Sequence, residues 1–320
     1  MGIVAVPGQV APIVGPMIGG VLVDAAGWRW IFYVNVPIVL TALASARNGI
    51  PADAPREKVR GWLDPIGLAL LSPALAMIVY GLAAPTRRLP LLGVGVVLLI
   101  AFCVHSLRAR TVTPLLDLRL FRHRPLAAAS ALNFLSRSSI FGAMILMPLY
   151  LQQVRGHSAL TAGLLLAPQS LGTMLVLPYV GKLTDRIGAR PVVLAGIAVT
   201  TLGTLAYTQI DAHTSVLILG VSLLVWGMGV AAVVVPVSAA AYDGLPPTAI
   251  PSATSAITTV QTLGASVGAA VLAAILQRNA SHHASASARA FADTFWWALA
   301  ATALTVIPAL LLPLRRREGQ

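Results

Sequence analysis

Residues 14–37 read VGPMIGGVLVDAAGWRWIFYVNVP. Gly15 and Gly19 stand four apart, on one face of any helix that holds them, and Gly20 widens the bare strip. Such a strip lets a second helix approach closely, while Pro16 removes one backbone donor and bends the rod. Alone, the spacing signals helix packing and little else. Its surroundings say more: residues 3–23 contain no charged residue, and about 20 apolar residues are what an α-helix needs to cross a bilayer.

The same criterion applied outward gives ten candidate spans, at about 3–23, 30–46, 64–84, 90–107, 126–151, 159–180, 190–208, 214–240, 252–277 and 294–314. Composition agrees. The 320 residues are 57% hydrophobic and 10% charged, with mean hydropathy +0.84, against about 25% charged in soluble chains, so a soluble enzyme is excluded. The first span is not expected to be a cleavable leader, since no basic stretch precedes it, and Val6 stands where myristoylation requires Ser or Thr. Cys103 is the single cysteine, so neither an internal disulfide nor a Cys-x-x-Cys metal site is available.

A net charge of +12 in a hydrophilic chain would point to nucleic acid. Here the bases follow the inside-positive bias of membrane proteins. With both termini in the cytoplasm, fifteen Lys or Arg fall inside: Arg47, Arg56, Lys58 and Arg60; Arg108, Arg110, Arg119, Arg122 and Arg124; Lys182, Arg186 and Arg190; and Arg315 to Arg317. Six fall outside (Arg29, Arg87, Arg88, Arg155, Arg278 and Arg289), and Arg137 lies within the fifth span. The basic loops then face anionic lipid headgroups, and no nucleic-acid partner is expected.

Gly15, Pro16, Gly19 and Gly20, followed by WRWIFYVNVP, resemble the antiporter motif and next hairpin of the major facilitator superfamily, in particular its fourteen-span drug:proton antiporter branch of the EmrB/QacA type. Further stretches agree in order: WLDPIG at 62–67, PLLDLRLFRHRP at 114–125, YLQQVRGHSALTAGLLLAPQSLG at 150–172 and GKLTDRIGARP at 181–191. The resemblance covers essentially the whole chain. It implies an all-α polytopic membrane protein with an incomplete major facilitator fold of about ten transmembrane helices. Residues 1–46 would be the last two spans of the amino-terminal bundle, and 47–125 cytoplasmic loops with two intercalated spans. Residues 126–314 would be a six-helix carboxyl-terminal bundle, and 315–320 a basic cytoplasmic tail. Four spans of the family would then be missing before Met1.

By the same resemblance, Gly181, Asp185, Arg186, Gly188 and Arg190 form a short cytoplasmic gating loop. Its glycines permit a tight connection of about eight residues, with Asp185 pairing with a nearby arginine or capping the next helix. A solvated turn that merely obeys the charge bias is the alternative.

All ten carboxylates, from Asp24 to Glu318, fall in loops or at span ends, so no membrane-embedded acid is expected to couple a proton to transport. Arg137 is the intramembrane charge, and such groups are functional candidates because charge is costly at the bilayer centre. Asn133 lies one turn earlier on the same face, with serines at 136, 138 and 139 around it. A polar stripe on a cavity is one reading; snorkelling to an interface is the other. Gln169, Gln261 and Trp226 are weaker cavity candidates, Trp226 having a plain packing alternative. Gly264 and Gly268 repeat the packing spacing. His282 and His283 lack a third ligand in sequence, so no metal is expected.

The function implied is proton-coupled efflux of hydrophobic or cationic small molecules by alternating access, at the cell membrane, with the proton gradient in place of any cofactor. A non-transporting remnant that inserts in the bilayer is the competing reading. A membrane-embedded enzyme is a third, disfavoured because no catalytic cluster appears. Oligomeric state and substrate identity are left open.

Overall fold

The computed structural model describes residues 15, 18–22, 25–49, 64–83, 88–108, 119, 121, 123–246, 249–282 and 288–312. Regular structure among them is entirely helical. Lipid offers no hydrogen bonds to the backbone, so apolar runs must satisfy their own N–H and C=O groups, and the helix does so within one segment. A single turn, α1 (Trp30–Tyr33), leads into α2 (Asn35–Gly49); α3 (Pro65–Ala83) and α4 (Arg88–Arg108) form a hairpin. Then come α5 (Arg124–Gln153), α6 (Ala159–Leu165), α7 (Ala167–Ile187), α8 (Ala189–Tyr207), α9 (Val216–Ala241), α10 (Ile250–His282), α11 (Ala288–Leu304) and α12 (Val306–Leu310).

Eight helical stretches are long and apolar enough to cross a membrane, and Pro65–Gly81 is a shorter apolar helix. These nine match nine of the ten expected spans; most of residues 3–23 lies outside the described residues. Three boundaries differ by five residues or more, one of them the end of α10, which runs on to His282 from an expected 277. The last span starts at Ala288, six residues before the expected 294, and breaks at Thr305 ahead of Pro308. More consequentially, α7 continues to Ile187, and the connection to α8 is the single residue Gly188 rather than a loop of about eight. Lys182, Asp185 and Arg186 are exposed on the end of α7, where water solvates them without unwinding the helix. Gly188 takes φ +90, a conformation side chains disfavour, and reverses the chain while its N–H still reaches Thr184 O at 2.9 Å.

Helices α5 to α12 pack as one bundle, with α9 against α7 and α8, and α5 against α10 and α11. Small residues set the closest approaches: a Cβ on Gly203 would lie 2.8 Å from the Trp226 backbone nitrogen, and one on Gly196 2.9 Å from Ala232 Cβ. Two apolar clusters fill opposite ends. Leu126, Leu132, Val193, Val237 and Leu312 occupy one, and Leu146, Tyr150, Tyr207, Leu223, Phe291 and Phe295 the other.

Between the clusters runs a polar layer. Ser139 Oγ bonds Thr302 Oγ1 at 2.5 Å, and Ser136, Thr200 and Thr305 join them around a cavity of about 20 Å³. That is room for about one water molecule, beside a Ser136 Oγ that has no hydrogen-bond partner among the described residues.

The α3–α4 hairpin leans on the start of α10 through Leu71, Phe102 and Ala256. Helix α2 is bare by contrast, with Val36, Leu40 and Leu43 between 55% and 64% exposed.

A polar seam between α5 and α10

The α5–α10 contact is close because α10 carries Gly264 and Gly268 on the face it turns to α5. A Cβ on Gly264 would collide with the Phe134 carbonyl oxygen, and one on Gly268 with that of Ser138. Backbone contact of this kind brings short polar side chains into range. Ser138 Oγ donates to Gly264 O at 2.8 Å, and Gln261 Nε2 donates to Asn133 Oδ1 at 2.8 Å. Asn133 Nδ2 in turn donates to Ala129 O at 3.0 Å, so the buried Asn133 amide is engaged at both ends.

One turn along, Arg137 is the fourteenth residue of the thirty-residue α5 and is half-buried. Its guanidinium carbon stands 5.9 Å from the Phe141 ring centroid, within range of a cation–π contact. No hydrogen-bond acceptor or carboxylate among the described residues meets it. A boundary error that would put Arg137 at an interface is thus removed, since α5 extends well beyond it on both sides.

Gln169 lies elsewhere, in a cavity of about 310 Å³ where α5, α6 and α7 meet the segment before α1. Gln152 and Ser170 share its lining with Gly19, Gly20 and Ile31. The close approach of the glycine motif falls on Gly20, where a Cβ would stand 2.7 Å from Leu160 Cα. Around Gly15 and Gly19 no described atom lies within 4 Å of an added Cβ, and Pro16 lies outside the described residues. Trp226 is 4% exposed and packs beside Tyr207, Leu223 and Phe295, which favours its packing alternative. Gly188 caps α8 with no side-chain bond, so Asp185 does not fill that role. Gly181 is an ordinary helical position with open space beside it, and Arg190 sits half-buried in the first turn of α8.

A buried carboxylate–imidazole hydrogen bond went unanticipated. The buried Asp64 accepts from Gly67 N at 2.8 Å and pairs with His105 Nε2 at 2.9 Å, joining the start of α3 to the end of α4. The Asp64-Pro65 sequence was the available signal, because a carboxylate N-cap followed by proline at the first helical position is a helix-start signature. Among the described residues no group of three or more His, Cys, Asp or Glu is placed to hold a metal; His282 ends α10, and His283 is outside them.

A bundle of membrane-length helices with a polar seam through its middle defines a polytopic membrane protein. The Major Facilitator Superfamily profile matches residues 1–269, and the chain belongs to that superfamily. It is 38% identical over 258 residues to the multidrug resistance protein B homolog of Mycobacterium tuberculosis (strain CDC 1551 / Oshkosh), covering 77% of this chain and 47% of that protein. It is 34% identical over 227 residues to the tetracenomycin C resistance and export protein of Streptomyces glaucescens, covering 69% and 42%. The chain spans about half the length of these curated relatives. A crystal structure of a mutant of the nucleoside transporter NupG superposes with a TM-score of 0.55, over 94% of this chain and 81% of that one, at 11% identity. That likeness concerns the fold alone.

Proposed function

We propose that the chain is part of a proton-coupled exporter of drugs or other toxic small molecules, of the fourteen-span branch, with four further spans in the complete protein. Two relatives named for resistance, one of them also for export, support the class, and the ordered motifs from Gly15 to Arg190 support the branch. The observation that carries the reading is the α5–α10 seam: a cation unpaired among the described residues and a hydrogen-bonded amide pair midway along helices that a soluble core would have made apolar. Alternating access places its site near the midplane between two bundles, and Arg137 and Gln261 line that site from this side, with the buried Asn133 holding Gln261. A positive Arg137 repels a permanent cation at its own level. Hydrophobic substrates with hydrogen-bond acceptors suit the seam, and cationic ones the cavity of Gln152 and Gln169. Protons couple through a carboxylate of the other bundle.

The test is a chimera in which the first four spans of the Mycobacterium tuberculosis relative are fused ahead of Met1. Everted vesicles holding the chimera should export a lipophilic fluorescent dye and lose that activity when the proton gradient is collapsed. Vesicles with the 320-residue chain alone should not, because its cavity has one wall. Export by the chain alone would overturn the missing-bundle reading; an inert but folded chimera would favour the remnant.

The orientation has both termini in the cytoplasm, and the fifteen-to-six distribution of bases supports it. Reporter fusions after residues 54, 115 and 187 should read cytoplasmic, and those after 87 and 156 external. An external signal at 187 would invert the arrangement.

A further inference from the structure

Between α7 and α9, on the outer surface of the bundle, lies an apolar groove of about 550 Å³ that the proposed substrate path does not use. Met147, Leu151 and Leu223 form its buried floor, while Leu171, Leu217 and Val221 stand exposed along its walls. Every lining residue is apolar. On α9 the lining runs from Val216 to Leu224, about 13 Å at 1.5 Å per residue. One leaflet's share of a hydrocarbon core of about 30 Å is about 15 Å, and the lining starts at the first residue of α9, so the groove matches one leaflet in length.

A cation stands near its start. The turn after α5 folds back on that helix, with Val154 N bonded to Tyr150 O at 3.0 Å and His157 N to Leu151 O at 3.0 Å. This turn carries Arg155 to the loop before α9, where Nη1 donates to Thr214 O at 2.6 Å, two residues before the groove lining begins at Val216. A guanidinium has five N–H donors, and the remaining ones meet no acceptor among the described residues. The nearby Asp211 carboxylate accepts His213 N at 2.8 Å and Thr214 Oγ1 at 2.9 Å, both on Oδ1.

An anchored cation near the start of an apolar slot one leaflet long is the complement of a phosphate ester carrying a hydrocarbon chain. We infer that the groove is a specific site for a phospholipid of that leaflet, one acyl chain lying between α7 and α9 and the headgroup phosphate on Arg155. Guanidinium–phosphate bonding is charge-assisted and geometrically selective, which distinguishes this site from the rest of the lipid-facing surface. The inference needs only the membrane location and not the export reading, so the two fail separately.

The experiment is native mass spectrometry of the purified full chain with dioleoylphosphatidylglycerol or with dioleoylglycerol, which lacks the phosphate. A Cβ at Gly220 has only Pro168 Cγ nearby, at 3.9 Å, so Gly220→Phe fills the groove without striking backbone. Wild type should retain one phosphatidylglycerol. Gly220→Phe should lose it, and Arg155→Gln should hold it about tenfold more weakly, with dioleoylglycerol binding weakly and indifferent to Arg155. Unchanged lipid retention in a Gly220→Phe chain of native helicity would overturn the site. Loss in Gly220→Phe with full retention in Arg155→Gln would make it a slot for any apolar solute, an exported one included, and would overturn the phospholipid assignment.

Discussion

Gly268→Leu should prevent the bundle from assembling. The added Cβ would collide with the carbonyl of Ser138, and neither backbone can yield without parting α5 from α10 along their length. The Gln261–Asn133 and Ser138–Gly264 hydrogen bonds would part with them, leaving buried amide and hydroxyl groups unsatisfied. Overpacking costs about 1–3 kcal/mol where side chains can shift, and orphaned buried groups cost about 1–3 kcal/mol more. Their sum is a large fraction of the ~5–15 kcal/mol that a folded domain holds. The measurement is the amount of monodisperse protein from membranes and its thermal midpoint in detergent. Gly93→Leu is the control, because no described atom lies within 4 Å of a Cβ there. Equal yield and midpoint for both variants would show that α10 does not rest on α5 through its glycines.

That a small-residue seam lies on α10 was readable from spacing alone, as were nine of the helices that cross or nearly cross the bilayer. Apolar length is a strong signal because lipid leaves the backbone no alternative to the helix. Helix ends were less legible, since exposed polar residues neither continue nor stop a helix unaided. The stretch from Lys182 to Ile187 reads as a loop by its charges and stays helical because no residue before Gly188 breaks it. Packing partners were hidden for another reason. Gly15, Gly19 and Gly20 are equally bare, and no spacing in the sequence says that Gly20 is the one that meets Leu160. The Asp64–His105 pair spans forty-one positions, and no local pattern connects its members.

The candidate site was legible by chemistry and obscure in geometry. Asn133, Arg137 and Gln261 stand out because polar groups are rare in such spans, but the amide–amide hydrogen bond across α5 and α10 follows from glycine contacts one and two turns away. Trp226 stood out for its size alone. Its neighbour Gly203 explains it better, since a Cβ there would lie 2.8 Å from Trp226 Cβ, and the indole is enclosed by the bundle.

Arg137→Ala in the chimera should lower gradient-driven export by about tenfold or more, an effect of at least about 1.4 kcal/mol on the transport step, while membrane abundance changes little. Truncating an ion-paired residue is destabilising chiefly because it orphans the partner. Arg137 has no such partner among the described residues, and the Phe141 ring contact is worth about 0.5–1 kcal/mol at a partly exposed site. Removing a half-desolvated charge offsets much of that loss. Function should suffer because a cation without an acceptor in its own bundle can favour one conformation only by meeting an acceptor in another, and a ligand or ion shifts states only through differential interaction. Lysine keeps the charge but not the planar fork, so Arg137→Lys should retain an intermediate rate if a point charge suffices and fall to the alanine level if bidentate geometry matters. Loss of abundance in the alanine variant would assign Arg137 a structural role. Export unchanged across arginine, lysine and alanine would remove it from the transport path.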